Sequence, residues 1–194
     1  SSSPRAPRRR TLTAKHMLCT ARVCTLATRL AGKANGGSSD GTREILEEYP
    51  HLEVIVSRDD GPYGAINRGF DRATGDIFAW LNADDFYVPN ALDNVLGIFA
   101  QFDDINWLTT QFPLFAEPSG AIAHGSFTAC YSRSRAMRPD SSRYGAAIPA
   151  AMQQESTFWR RSLWDVSGGG LNTRFQYAAD YELWLRFWNH AQPA

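Results

Sequence analysis

The chain has 194 residues, 43% of them hydrophobic and 12% aromatic, which suits one domain with a real core. No apolar run approaches the ~20 residues of a membrane-spanning helix, nothing reads as a secretory signal, and three scattered cysteines, Cys19, Cys24 and Cys130, exclude a disulfide framework. The formal net charge of zero hides a division: eight of the 20 basic residues and none of the 20 acidic ones fall in residues 1–39, so the remainder is strongly acidic.

Residues 1–35 stand apart as an atypical basic segment, rich in Arg, Ser, Thr and Ala, with weak apolar periodicity. A basic arm for nucleic acid would be expected to interleave aromatic side chains for base stacking, and none occur there, so no nucleic-acid partner is expected. An organelle transit peptide matches the Arg-rich, acid-poor composition. His16 gives Cys19 and Cys24 a third ligand but no fourth, which disfavours a zinc site.

From Asp40 onward the pattern is that of an α/β domain, which we bound at 36–194. Asp40 can cap a helix carrying Ile45, Leu46 and Tyr49, stopped by Pro50. "LEVIVS" (52–57) reads as a buried strand. Tyr63, Ile66, Phe70 and Ala73 recur at helical spacing, with Gly75 at the position where helices favour a left-handed residue. "IFAWL" (77–81) is the next strand. Pro89 suits the first turn of a helix carrying Leu92, Val95, Leu96 and Phe99, and "INWLTT" (105–110) is a further strand. The segment 111–150, with Pro113, Pro118, Pro139 and Pro149, reads mostly as loop. Alternating strands and helices predict a parallel sheet covered by helices.

Two features carry chemistry. Asp84 and Asp85 stand side by side at the end of "IFAWLNADD", where open α/β sheets bind ligands beyond their strand ends. A divalent cation lying between the carboxylates and a phosphate would relieve their repulsion; alternatively, one caps the following helix and the other is solvated. Asp180 begins a helix in which Tyr181, Trp184, Leu185 and Trp188 share a face; it suits either an N-cap or a general base. Arg160 and Arg161 could steady phosphate or merely solvate a surface.

"NGGSSDGTREILEEYP", "SRDDGPYGAINRGFDRATGDIFAWLNADDFYVP" and "QQESTFWRRSLWDVSGGGLNTRFQYAADYELWLRF", in this order and spacing, resemble the family 2 glycosyltransferases over about residues 36–190. The resemblance implies a GT-A fold, a mostly parallel Rossmann-like sheet flanked by helices, and a metal-dependent, inverting transfer of sugar from a nucleotide-sugar (UDP, GDP or dTDP) to a saccharide or lipid-linked acceptor. It implies Asp85 as the Mn²⁺ or Mg²⁺ ligand with Asp84 assisting, and Asn82 near the ribose. Asp40, Asn67, Arg68 and Asp84 also fall on the donor side. Gln154 and Glu155 fall on the acceptor side, and Asp180 is the general base, with Glu182 a weaker alternative. Cell-wall or polysaccharide synthesis is the process it suggests, in the cytoplasm or as a peripheral protein at the inner membrane face.

The family pattern begins abruptly at Gly36, with Asn35 where an aspartate is usual, and nothing upstream reads as two strands flanking a helix. A reading-frame slip near residues 33–36 is therefore the third reading of the front segment. It would leave the domain without a normal first β-α-β unit and truncated. A non-catalytic remnant of the fold and a basic-arm nucleic-acid binder are the alternatives to an enzyme.

Overall fold

The computed structural model of the chain describes residues 32–35, 47–48, 53–56, 61–82, 85–117, 119, 121–125 and 152–194, the strands at 32–35 and 53–56 as backbone alone. Strand β1 (Gly32–Asn35) pairs in parallel with β2 (Glu53–Val56), Gly32 opposite Glu53 and Asn35 opposite Val56. A strand therefore lies inside the segment from which the sequence led us to expect none. Helix α1 (Gly61–Arg72) follows and lies against β1. It buries Ala65, Ile66 and Phe70, the face its apolar spacing predicts. Gly75 is not left-handed: among the described glycines only Gly61, Gly168, Gly169 and Gly170 have positive φ. The C-terminal carbonyls of α1 are met by a side chain instead.

Strand β3 (Ile77–Phe78), helix α2 (Ala91–Gln101) and strand β4 (Trp107–Thr109) come next. Pro89 lies just outside α2, and Asn90 takes the N-cap position with φ 64. Strands β3 and β4 do not pair with each other. Between them runs β7 (Thr157–Arg160), antiparallel to both, with Phe78 opposite Trp159 and Trp107 opposite Trp159 on the other side. The three-stranded sheet is thus antiparallel within itself, where alternation alone predicted parallel pairing. The segment after 110 is not all loop either: β5 (Leu114–Ala116) and β6 (Ile122–Gly125) form an exposed hairpin. Helix α3 (Arg161–Val166) and helix α4 (Ala179–Phe187) complete the described elements.

Period-two alternation sorts the sheet's side chains onto two buried faces. Phe78, Trp80, Trp107 and Trp159 point to one side and join α1, α3 and α4 in the main core, which holds all six tryptophans of the chain. Ile77, Ala79 and Phe158 point to the other, with Val95 and Phe99 of α2. Phe158 and Trp159 pack as core, as their composition suggests. On α4 the buried residues are Ala179, Leu183, Trp184 and Phe187, with Trp188 just beyond, while Tyr181 is exposed. The face is therefore rotated from the one the apolar spacing marked.

Arg160 and Arg161 neither solvate a surface nor point at a phosphate. Adjacent in β7 and α3, they reach opposite ways. The Arg160 guanidinium donates to Phe99 O (2.8 Å), Phe102 O (3.1 Å) and Ile105 O (2.8 Å) at the end of α2 and lies over the Phe99 ring. Arg161 donates to Ala73 O (2.6 Å) and Gly75 O (2.6 and 2.8 Å) beyond α1 and lies over Phe78. Each cation thereby serves backbone carbonyls at or just beyond the C-terminal, negative pole of a helix.

Candidate active site

The site lies beyond the carboxyl end of β3. After the buried Trp80 and Leu81, the chain turns: Asp85 N–H donates to Asn82 O at 3.3 Å. Both Asn82 and Asp85 are half-buried at this turn. Because β7 runs antiparallel to β3, its start faces the same end of the sheet, and the 3-10 turn Gln154–Ser156 immediately precedes it. The first turn of α4 adds Asp180.

Glu155 lies within reach of the charges of Asp85 and Asp180. Burial pushes the Glu155 carboxyl above the usual carboxylate range, and the charges of Asp85 and Asp180 push it further, while its own backbone amide and the Gln154 side chain oppose the rise. Burial likewise raises Asp180, against the backbone N–H groups of Tyr181 and of Asp180 itself. Asp180 is thus a first-turn residue rather than an N-cap, a position held by Ala178. Gln154 is buried, and neither end of its amide makes a well-formed hydrogen bond among the described residues.

A carboxyl whose folded pKa is raised stabilises the fold below its ordinary pKa, and that stability is lost as pH rises through the raised value. Glu155→Gln is therefore expected to raise the melting temperature at pH 7.5, with the gain vanishing below roughly pH 4. Calorimetry from pH 4 to 8 checks this, and a gap independent of pH would contradict it.

The residues expected at the donor fare unequally. Asp40 and Asp84 lie outside the described residues. Arg68 is half-buried on α1. Asn67 spends its amide on the chain itself: Nδ2 donates to Leu171 O (2.8 Å) and Oδ1 accepts from Leu171 N–H (2.6 Å). It thereby ties α1 to the end of the Gly168–Gly169–Gly170 turn, whose φ values of 87, 58 and 65 suit glycine.

Arg186, which sequence reasoning missed, holds the same turn from α4. It donates to Ser167 O (2.8 Å), Gly169 O (2.9 Å) and Gly170 O (2.6 Å), and its ion pair with Glu182 is bidentate at 3.0 and 3.1 Å. Glu182 is committed to that pair, which removes it as an alternative base. Tyr63 was legible only as an apolar-face residue, yet its hydroxyl oxygen accepts the Ala179 N–H at 3.3 Å. The helical spacing of Glu182 and Arg186 was a local signal; nothing local announced the other contacts.

Among the described residues, no three His, Cys, Asp or Glu side chains are arranged to hold a metal ion. Asp85 nonetheless offers a carboxylate oxygen, the ligand type that suits a hard divalent cation, and its charge is felt at Glu155.

The fold is shared with S. aureus TarS, at a TM-score of 0.61 and 14% identity over 84% of this chain and 48% of that one. A second TarS structure, in complex with UDP, matches at a TM-score of 0.56 and 15% identity, over 78% of this chain and 43% of that one. This likeness bears out the GT-A α/β architecture expected from the sequence. In sequence, a PGL/p-HBAD biosynthesis glycosyltransferase of Mycobacterium bovis is 28% identical over 165 residues, 78% of this chain and 55% of that protein. An uncharacterized glycosyltransferase of Rickettsia typhi is 24% identical over 155 residues, 79% of this chain and 47% of its own length. The chain thus spans about half the length of these two relatives. The profile of glycosyl transferase family 2 matches residues 34–158, beginning inside β1, and with that match over most of its length the chain belongs to the family 2 glycosyltransferases.

Proposed function

We propose that the domain transfers a sugar from a nucleoside-diphosphate donor to a hydroxyl of a saccharide or lipid-linked acceptor, with inversion at the anomeric carbon. The observation that supports this reading is the placing of Asp180 in the first turn of α4 beyond β3, where its charge and that of Asp85 reach Glu155 and burial raises its own pKa. In the proposed step Asp180 takes the proton of the acceptor hydroxyl as its oxygen bonds to the anomeric carbon, and the bond from that carbon to the diphosphate breaks. Attack from the face opposite the leaving group inverts the centre. The Gln154 amide, beside Glu155, carries both a donor and an acceptor suited to a sugar hydroxyl.

Asp85, with Asp84, would hold Mn²⁺ or Mg²⁺, which supplies Lewis-acid stabilisation of the departing diphosphate when bound. Arg68 and Asn82 lie on the donor side in this reading, and the UDP complex of TarS supports a uridine nucleotide as the first donor to try. No helix among the described residues is long and apolar enough to cross a membrane. We place the reaction at the cytoplasmic side, in cell-wall or polysaccharide synthesis, the mycobacterial relative being named for a biosynthetic glycosyltransferase.

UDP with Mn²⁺ is expected to raise the melting temperature by roughly 3 °C at saturating ligand. Asp85→Asn should remove most of that shift while leaving the ligand-free melting temperature at least as high. If UDP, GDP and dTDP all leave the wild-type transition unmoved in Mn²⁺ and in Mg²⁺, the donor reading fails.

A further inference from the structure

Helix α4 begins with no side-chain hydrogen bond from its N-cap residue. Its N-cap position is Ala178, which has no side-chain acceptor and sits in the left-handed region at φ 63, a conformation unusual for any residue with a Cβ. The next residue, Ala179, is fully buried. A buried amide needs a partner, and the partner here comes from 116 residues earlier in the chain: the Tyr63 hydroxyl oxygen, 3.3 Å from Ala179 N. Tyr63 lies on α1 with its ring packed against the main core, so the acceptor is held in place by packing. Asp180 follows directly and lies near enough for its charge to reach the phenol. Burial raises the Tyr63 pKa first, the Asp180 carboxylate raises it further, and the Ala179 and Ala178 backbones oppose.

We propose that Tyr63 is a positioning residue for the base Asp180: its hydroxyl accepts the first amide of α4 and fixes the first turn from across the domain. This inference rests on the reading of Asp180 as the base. The physical reason is orientation. A general base works only within hydrogen-bond reach of the proton it takes, and a first turn free to fray would carry the Asp180 carboxylate away from that geometry. A Ser or Asp at position 178 would cap the amides of Asp180 or Tyr181 and leave that of Ala179 unmet. The long-range contact instead makes α1 the reference for the base, and α1 also carries Arg68 and, through Asn67, holds the glycine turn that Arg186 grips. One rigid helix thus sets the donor side and the base in a common frame.

Tyr63→Phe tests this, since it keeps the ring and removes only the oxygen. The expected result is a kcat for transfer lower by about tenfold, the rate equivalent of one hydrogen bond, with the donor KM unchanged. In the same variant without donor, hydrogen exchange at the Ala179 amide should quicken by a similar factor. Unchanged exchange at Ala179 would overturn the inference whatever the enzyme does, and so would faster exchange with an unaltered kcat. The base assignment is read separately from Asp180→Asn: transfer near the wild-type rate in that variant would sink the base reading, while the exchange measurement still decides whether Tyr63 caps α4.

Discussion

Replacing Asp180 by Asn is expected to lower the rate of sugar transfer by about a thousandfold, within the range a positioned general base contributes. The substitution is nearly isosteric and removes a half-buried negative charge near Glu155. The fold should therefore be no less stable, and the raised pKa of Glu155 should fall. Donor affinity should hold as well, because Asp180 acts on the acceptor proton. Product formation followed by NMR with saturating donor gives the rate, and a binding titration with UDP gives the affinity. A variant that keeps its rate would move the base elsewhere, with Glu155 the first group to examine.

The second large effect falls on stability. Trp184 is almost fully buried on α4 and touches Trp80, Trp107, Trp159 and Phe187, with ring centroids between 5.5 and 6.0 Å. Trp184→Ala should cost about 3–5 kcal/mol, since the lost burial is compounded by a cavity that a sheet and three packed helices cannot close. That is a large share of the roughly 5–15 kcal/mol that holds a typical domain together. Trp184→Phe should cost far less, about 1–2 kcal/mol. It keeps most of the ring contact and deletes an indole N–H that has no partner among the described residues. Urea denaturation monitored by circular dichroism separates the two variants. Equal costs would show that the ring volume is not what stabilises the contact.

What was legible in the sequence was local. The faces of α1 and α2 follow from apolar residues three and four apart, and β2, β3 and β4 from short apolar runs, because in each case the signal lies within one element. Pairing is not local. The apolar Phe158 and Trp159 are core, but nothing in "TFWR" states that β7 lies between β3 and β4 or runs against them. Pro113 and Pro118 were read as marks of a loop, yet they flank β5. The rotated face of α4 has a related cause. Tyr181 counts as apolar by composition, but it points outward because Leu183 and Phe187 fill the core side. In the candidate site, Asp85, Glu155 and Asp180 are singled out by the family pattern, and that the charges of the first and last reach Glu155 is a property of the fold. Arg160, Arg161 and Tyr63 escaped because each makes its bonds to backbone 50 to 120 positions away, where no spacing rule reaches.

The placement of β7 has a consequence for synthesis. Strands β3 and β4 are complete by Thr109, yet neither has a described neighbour in their sheet until Thr157–Arg160 arrives. Until then the edges that β7 joins lack that partner and Trp107 lacks Trp184, Phe187 and Trp188, although Phe70 of α1 already stands against Trp80. A nascent chain in that interval resembles the aggregation-exposed intermediates of slow, non-local topologies. The same delayed segment delivers Gln154 and Glu155, so the step that closes the sheet also brings part of the site to the carboxylate end of β3. A ribosome-bound chain halted before residue 157 should accordingly recruit chaperones, and one extended past Phe187 should release them.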